Sequence, residues 1–413
     1  MSDQRNPWKP IADAATAKPF TAKIGEIADI LLNQTEPPKD NIGLIGGQTG
    51  MAIFLFYYAK FRQEEKYYDK GMEILASVFD TINEGFGYHT FASGLAGVGW
   101  AVEHLVKNEF IEADTDDILK ELDPFIHQAM ILDIKENNNY DFLHGAVGCG
   151  FYFLNRLANA KTGEYLTELV DELEKRCEKE ENGSIKWRSI LNREENTEGY
   201  NLSLSHGIAS IIAFLTKMYD LNLYREKVTP LLDGAVHYLL SHSLDINKFP
   251  SHFPSWVQEG QPLSHSRLAW CYGDLGIGIS LWQAAGIRGN TDWEQKAIDT
   301  LKHSTGRRDL KENAVIDVGL CHGAAGIAHI YNRMFHYSGI ETFRETALYW
   351  LDHSIKMARH EDGFAGYKAW HTEKYGGWVA ESGILEGVAG IGLALLAAIT
   401  DIEPSWDRCL LCS

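Results

Sequence analysis

Two kinds of helical patterning alternate along almost the whole chain. One kind is apolar nearly all the way round and opens with a small-residue signature of the form G-x-x-G. Its copies are GGQTGMAIFLF at Gly46, SGLAGVGWAV at Ser93, HGAVGCGFYFL at His144, HGIASIIAFL at His206, YGDLGIGISLW at Tyr272, HGAAGIAHIY at His322 and EGVAGIGLALL at Glu386. The other kind carries an apolar stripe on one side only, as in Ile24, Ile27, Ala28, Leu31 and Leu32, or Met72, Ile74, Leu75 and Val78. Charged groups such as Glu64, Glu65, Lys66, Asp69 and Lys70 accompany it. A segment apolar all round is a buried helix, and one with a single stripe is a helix with a solvated face. The pattern predicts seven helical hairpins, each with an inner and an outer helix, at a spacing of roughly 50 to 65 residues. Upstream of the first signature, Thr21 to Gln34 supply one outer helix.

Seven such hairpins stack either as an open solenoid or as a closed ring. A solenoid needs polar caps at both ends, yet the last copy, Gly383 to Ile399, is among the most apolar. Closure is therefore expected: an all-α fold, an α/α toroid (double α-barrel) of seven hairpins. The glycine-rich starts of the inner helices then gather at one rim, around an axial cavity lined by several repeats. Three segments break the helical pattern, at about 183–204, 242–269 and 363–383. Their Pro, Trp and Gly content and short alternating runs, such as Ser184 to Ile190, predict strands or ordered loops forming a small lid or subdomain over that rim. Length alone suggests two or three domains of about 150 residues; the repeat replaces that with one domain over 1–413.

Charge narrows the partners. With 38 Lys+Arg against 57 Asp+Glu the formal net charge is −19, which argues against DNA or RNA binding, where clustered positive charge must displace counterions. A basic partner is allowed. Six cysteines in 413 residues are too sparse for a disulfide framework and point to a reducing compartment. The first twenty residues show no basic region followed by an apolar stretch, so no secretory signal is read. The uncharged stretch Asn41 to Ala59 is interrupted by glycines, and Gly387 to Thr400 is too short to span a bilayer. A soluble, cytoplasmic protein without a transmembrane segment is expected.

Repeats diverge where chemistry demands it, and copies four to six diverge most: LSLSHG at Leu202, RLAWCYG at Arg267 and GLCHG at Gly319. Cys271, Cys321 and His322 fall at the starts of adjacent inner helices, with the two cysteines one repeat apart. Two thiolates and an imidazole form a Cys2His zinc set with the fourth tetrahedral position open, as in catalytic sites. The same residues also read as two buried small hydrophobes and a hydrogen-bonded rim histidine.

The motifs AWCYG (Ala269 to Gly273), CHG (Cys321 to Gly323) and SHG (Ser205 to Gly207), with the G-x-x-G repeats, run in an order and spacing that resemble the lanthionine synthetase C-like family over essentially the full length. That family's α/α toroid agrees with the ring inferred from the repeats. The resemblance implies one zinc ion per chain on Cys271, Cys321 and His322, a catalytic histidine at His206, an acidic residue at Asp141, and polar residues near the metal at Arg267 and Tyr272. Read from the residues alone, His206 could serve a loop hydrogen bond, Arg267 an ion pair, Asp141 an N-cap and Tyr272 packing. The implied activity is that of a stand-alone lanthipeptide cyclase. It adds cysteine thiols of a dehydrated precursor peptide to dehydroalanine or dehydrobutyrine, with His206 or Tyr272 as acid and Arg267 stabilising charge. A separate dehydratase and an export transporter are expected partners, which allows a location peripheral to a membrane-associated complex. Three alternatives share features of this reading: glutathione addition to dehydroamino acids by a eukaryotic-type relative, a non-catalytic peptide-binding scaffold, and a thiol-activating toroid of the prenyltransferase β-subunit type. His144 receives no role, and the Cys409/Cys412 pair in the tail WDRCLLCS is read as incidental at a mobile terminus.

Overall fold

The computed structural model describes residues 7–34, 41–192 and 194–413; the first six residues, part of the stretch read as lacking a signal, lie outside it. Among the described residues the architecture is the expected α/α toroid. Seven inner helices each begin one or two residues after a signature glycine: α2 (Gln48–Arg62), α4 (Leu95–Lys107), α7 (Ala146–Asn155), α9 (Ile208–Asp220), α11 (Asp274–Arg288), α13 (Ala324–Ser338) and α15 (Val388–Ile399). Around them lie α1 (Ala14–Leu32), α3 (Glu65–Asn83), α6 (Leu122–Asn137), α8 (Thr162–Arg176), α10 (Arg225–Ser241), α12 (Thr291–Ser304) and α14 (Glu341–Lys356), with a short α5 (Thr115–Leu119) beside them. The outer helix α1 starts at Ala14, seven residues earlier than its apolar stripe suggests, because the Asp13 carboxylate caps the Thr16 N–H. Inner helices are buried on nearly every face; in α15 Val388 through Ala398 are all buried.

Main-chain bonds bridge six of the seven junctions between neighbouring copies. The Ile45 N–H donates to the Ala92 carbonyl oxygen (2.9 Å) and the Ala92 N–H to that of Leu143 (2.9 Å). Leu204 and Ser205 donate to Cys271 (3.2 and 3.4 Å), Cys271 to Cys321 (3.2 Å), and Cys321 to Leu385 (2.9 Å). Leu385 donates back to Ile45 (2.9 Å). This belt runs just beneath the rim and joins the last copy to the first, so neither end of the repeat array needs a polar cap. In six of the seven copies the second glycine of the signature lets the helix start close over it, Ser210 taking that place in copy four: a Cβ at Gly390 would collide with the Ile384 carbonyl oxygen.

The rim carries the expected small sheets. Strands β1 (Glu178–Lys179) and β2 (Ile185–Lys186) pair, and β3 (Ser189–Asn192), β4 (Thr197–Asn201) and β5 (Trp256–Val257) form an antiparallel sheet in that order. A hairpin of β6 (Ala369–Trp370) and β7 (Trp378–Val379) rises from the last connection. The segment around 242–269 is mostly irregular and is clamped by Asp274 at the start of α11, whose buried carboxylate accepts from the His252 and Phe253 N–H groups (both 3.0 Å).

One expectation is corrected. The tail holding Cys409 and Cys412, expected as a mobile terminus, is buried and bonded to the inner helices. The Trp270 indole donates to the Leu410 carbonyl oxygen (2.7 Å) and the Gln283 amide to that of Leu411 (2.9 Å). Fully buried Asp407 accepts from Arg333 (Nε, 2.9 Å) and Ser413 (2.6 Å) and lies 2.8 Å from His329 Nε2. An ionised carboxylate is stable in such an interior only when paired, and here α13 supplies the partners. Cys409 and Cys412 are buried with it, and burial pushes both thiols well above the ordinary range, away from the thiolate state that redox or metal chemistry requires.

Candidate active site

Because Cys271 and Cys321 are consecutive members of the main-chain belt, their side chains emerge next to each other. The sulfurs and a ring nitrogen of His322 all lie within 4.8 Å of one another, the separation expected of ligands sharing one tetrahedral ion. The positive φ of Gly273 (106°) turns the chain from Tyr272 into α11; a Cβ there would stand 2.5 Å from the Arg267 carbonyl oxygen. Glycine at this position thus fixes the direction in which Cys271 is presented.

The donor set suits zinc. The two thiols are hydrogen-bonded to each other: that bond, with His322 and Arg267 nearby, holds Cys271 well below the usual thiol range, and the same bond pushes Cys321 up. His322 has its Nε2 3.3 Å from Asp317 Oδ2, which leaves Nδ1 for a metal and follows the carboxylate–histidine pattern of metal centres. Burial disfavours its protonation, but Asp317 and Cys271 outweigh burial and raise its pKa to about 10. Two neighbouring sulfurs, one of them held toward the thiolate, and an imidazole backed by a buried carboxylate fit a divalent cation with thiolate affinity.

His206 and Asp141 meet between copies three and four. His206 Nδ1 stands 2.6 Å from Asp141 Oδ2, while Asp141 Oδ1 accepts from the His144 N–H (2.8 Å). Asp141 is not the N-cap of α7, a place taken by Gly145; it closes the turn before that helix and pairs with the imidazole. For His206, burial works against charging, but the Asp141 hydrogen bond and charge prevail and its pKa is raised; Asp141 is lowered, its own burial being outweighed by His206. The His144 ring lies nearly parallel to that of His206, centroids 6.1 Å apart.

Tyr272 bridges the two clusters, its ring centroid 5.9 Å from that of His206. Its hydroxyl accepts from the Asn201 amide (3.5 Å), and Trp256 of β5 stands edge-on to it at 6.2 Å. Burial, with the Cys271 and Asp141 charges, pushes the phenol up to about 12, so it stays protonated. Arg267 donates through Nη2 to the Ala314 carbonyl oxygen (2.6 Å), while its buried Nε has no protein partner; its charge acts on both sulfurs. Sequence reasoning missed Asp317, Asn201, Glu386 and His371. His371 Nε2 lies 3.4 Å from Glu381 Oε1 and 3.6 Å from Glu386 Oε2, on the side of the Cys2His set away from His206. Glu386 was visible as the odd residue of the seventh signature; Asp317 and His371 break no repeat position.

The family model for lanthionine synthetase C-like proteins matches residues 38–411. Among solved structures, nisin cyclase overlays on 96% of this chain and 98% of its own with a TM-score of 0.76 at 19% identity, which shows the same fold. An α-1,6-mannanase from Salegentibacter sp. overlays on 93% of this chain and 98% of its own at a TM-score of 0.46 and 11% identity.

Proposed function

The chain belongs to the lanthionine synthetase C-like family, and on that premise we propose that it is a zinc-dependent peptide cyclase. Its reaction adds cysteine thiols of a dehydrated precursor peptide to dehydroalanine or dehydrobutyrine residues of the same peptide, closing (methyl)lanthionine thioether rings. What supports this reading is the convergence of Cys271, Cys321 and His322 within 4.8 Å beside the 2.6 Å His206–Asp141 pair. Cys271, Cys321 and His322 would hold the zinc ion, which would supply the Lewis acidity to ionise a thiol with a free pKa of about 8.5 at neutral pH. Cys271 and Cys321, as thiolates, would keep that donor set electron-rich.

The other residues handle the acceptor. Sulfur bonds to Cβ, the C=C electron pair moves toward the carbonyl as an enolate, and Cα then takes a proton. Asp141 on Nδ1 leaves His206 Nε2 as the nitrogen that exchanges protons, and the raised pKa makes the imidazolium available near neutrality; His206 is the acid at Cα. Tyr272, still protonated, donates a hydrogen bond to the enolate oxygen, and Arg267 adds cationic charge to the same pocket. The proton lost by the thiol balances the one gained at Cα. A dehydratase that acts first, an export transporter that acts last and a cytoplasmic setting belong to the same proposal; among the described residues no helix is long and apolar enough to cross a membrane.

The test joins metal analysis to cyclisation of a dehydrated precursor peptide, read by mass spectrometry and thioether-sensitive fragmentation. We expect one zinc per chain, and loss of both metal and rings in Cys321→Ala. A variant that keeps both overturns the reading. An arm with glutathione and the same peptide separates intramolecular cyclisation from small-thiol addition.

A further inference from the structure

The β6–β7 hairpin reaches into the site by its main chain. The Trp370 N–H donates to Asp317 Oδ2 (2.9 Å), the oxygen that lies 3.3 Å from His322 Nε2. Asp317 Oδ1 accepts from the Gly319 N–H (3.2 Å). With Asp317 only 3% exposed, water does not compete for these contacts. The next residue, His371, sets its ring between Glu381 and Glu386, and Glu386 follows Leu385, whose carbonyl oxygen accepts from the Cys321 N–H (2.9 Å). At the hairpin's other end Lys374 pairs with Glu194 in the β3–β4 turn. That turn precedes the fourth inner helix and the hairpin precedes the seventh, so the pair links two lid pieces that flank the copies carrying Cys271, Cys321 and His322. The exposed ion pair at the tip contributes little; the buried carboxylate at the root holds the hairpin.

We propose that Asp317 is a positioning residue that couples this lid hairpin to the metal centre. One buried carboxylate serves both the Trp370 amide and the His322 imidazole. Metal uptake at His322 therefore orders the segment 363–383, and displacement of the hairpin removes the Trp370 N–H that steadies Asp317 Oδ2 against the His322 ring. The coupling rests on the reading of Cys271, Cys321 and His322 as zinc ligands and goes beyond it, because it makes entry of a peptide under the hairpin and retention of the metal interdependent.

Hydrogen exchange on the full chain, with and without zinc, alongside zinc titration against a competing chelator, tests it. In the wild type zinc is expected to slow exchange in peptides covering 363–383. In Asp317→Asn zinc affinity is expected to fall about 10- to 100-fold, and saturating zinc no longer protects that segment, while exchange in the inner helices stays as in the wild type. Wild-type protein that takes up zinc with no change in exchange over 363–383 overturns the coupling, as does Asp317→Asn with undiminished zinc affinity. Should Asp317→Asn fail to fold, the wild-type comparison decides alone. Wild-type protein that takes up no zinc overturns the metal reading itself.

Discussion

Two arcs of the same rim share a backbone and differ in what hangs from it. In copies one and two the belt residue and the signature position after it are Ile45–Gly46 and Ala92–Ser93; in copies four to six they are Ser205–His206, Cys271–Tyr272 and Cys321–His322. The main-chain bond from Ile45 to Ala92 (2.9 Å) has its counterpart in the bond from Cys271 to Cys321 (3.2 Å). At these junctions closure asks for a peptide group at the belt position and for no particular side chain. Between copies three and four the bridge passes through side chains, where Asp141 meets His206. A scaffold closed by its amides leaves its rim side chains free for chemistry, and only one arc uses that freedom.

The comparison breaks most completely at Cys321. Replacing it with Ala leaves the belt amide in place, so the ring should fold, but it strips one of the three ligand atoms; zinc content and cyclisation are expected to fall below detection in metal analysis and mass spectrometry. His206→Asn should spare the metal. It removes the group proposed as the acid at Cα, and cyclisation is expected to slow by about 10²- to 10⁴-fold at unchanged zinc content, a separation that a merely structural role would not produce.

Asp141→Asn acts through His206 and is best read against pH. An acid must be protonated, so activity is lost as pH rises through the His206 pKa, which the Asp141 hydrogen bond and charge hold above its ordinary value. Removing that charge lowers the pKa. The alkaline limb of the rate profile should move to lower pH, with a loss near neutrality at the small end of the His206 range. An unmoved limb would assign the titration to another group. Tyr272→Phe is expected to cost less again, about tenfold to a hundredfold in the rate of ring closure, by deleting one hydrogen bond to the enolate.

The ring was legible in the sequence because burial on every side leaves a helix apolar all round, and because close helix starts demand glycine at a fixed spacing. Cys271, Cys321, His322 and His206 stood out as breaks in that spacing. Asp141 came through family resemblance, since its turn carries no repeat signal. Asp317 and His371 stayed hidden: Asp317 meets its partner Trp370 across 53 residues, and no local pattern encodes a contact made when a lid folds back. The tail was misread because WDRCLLCS has no helical period. A signal did exist in α13, where Arg333 is buried inside an inner helix; a buried guanidinium asks for a carboxylate, and Asp407 supplies it.

The smallest expected effect lies on the silent arc. Gly46 holds the position that His206, Tyr272 and His322 hold elsewhere, and a Cβ placed there meets nothing within 4 Å. Its φ is not in the left-handed region that would resist a side chain. Gly46→Ala should therefore leave zinc content and cyclisation unchanged and move stability by no more than about 0.5 kcal/mol. The adjacent Gly47 sets the contrast: a Cβ there would run into the Asn41 carbonyl oxygen and the Gly43 amide, so Gly47→Ala should destabilise the fold by a few kcal/mol, on the order of other buried backbone clashes. Thermal melting of the two variants, with metal content alongside, separates the demands of the ring from those of the site. If Gly46→Ala lost activity at full stability, the first arc would also line the reaction cavity, and the division of the rim into a silent and a reactive arc would fail.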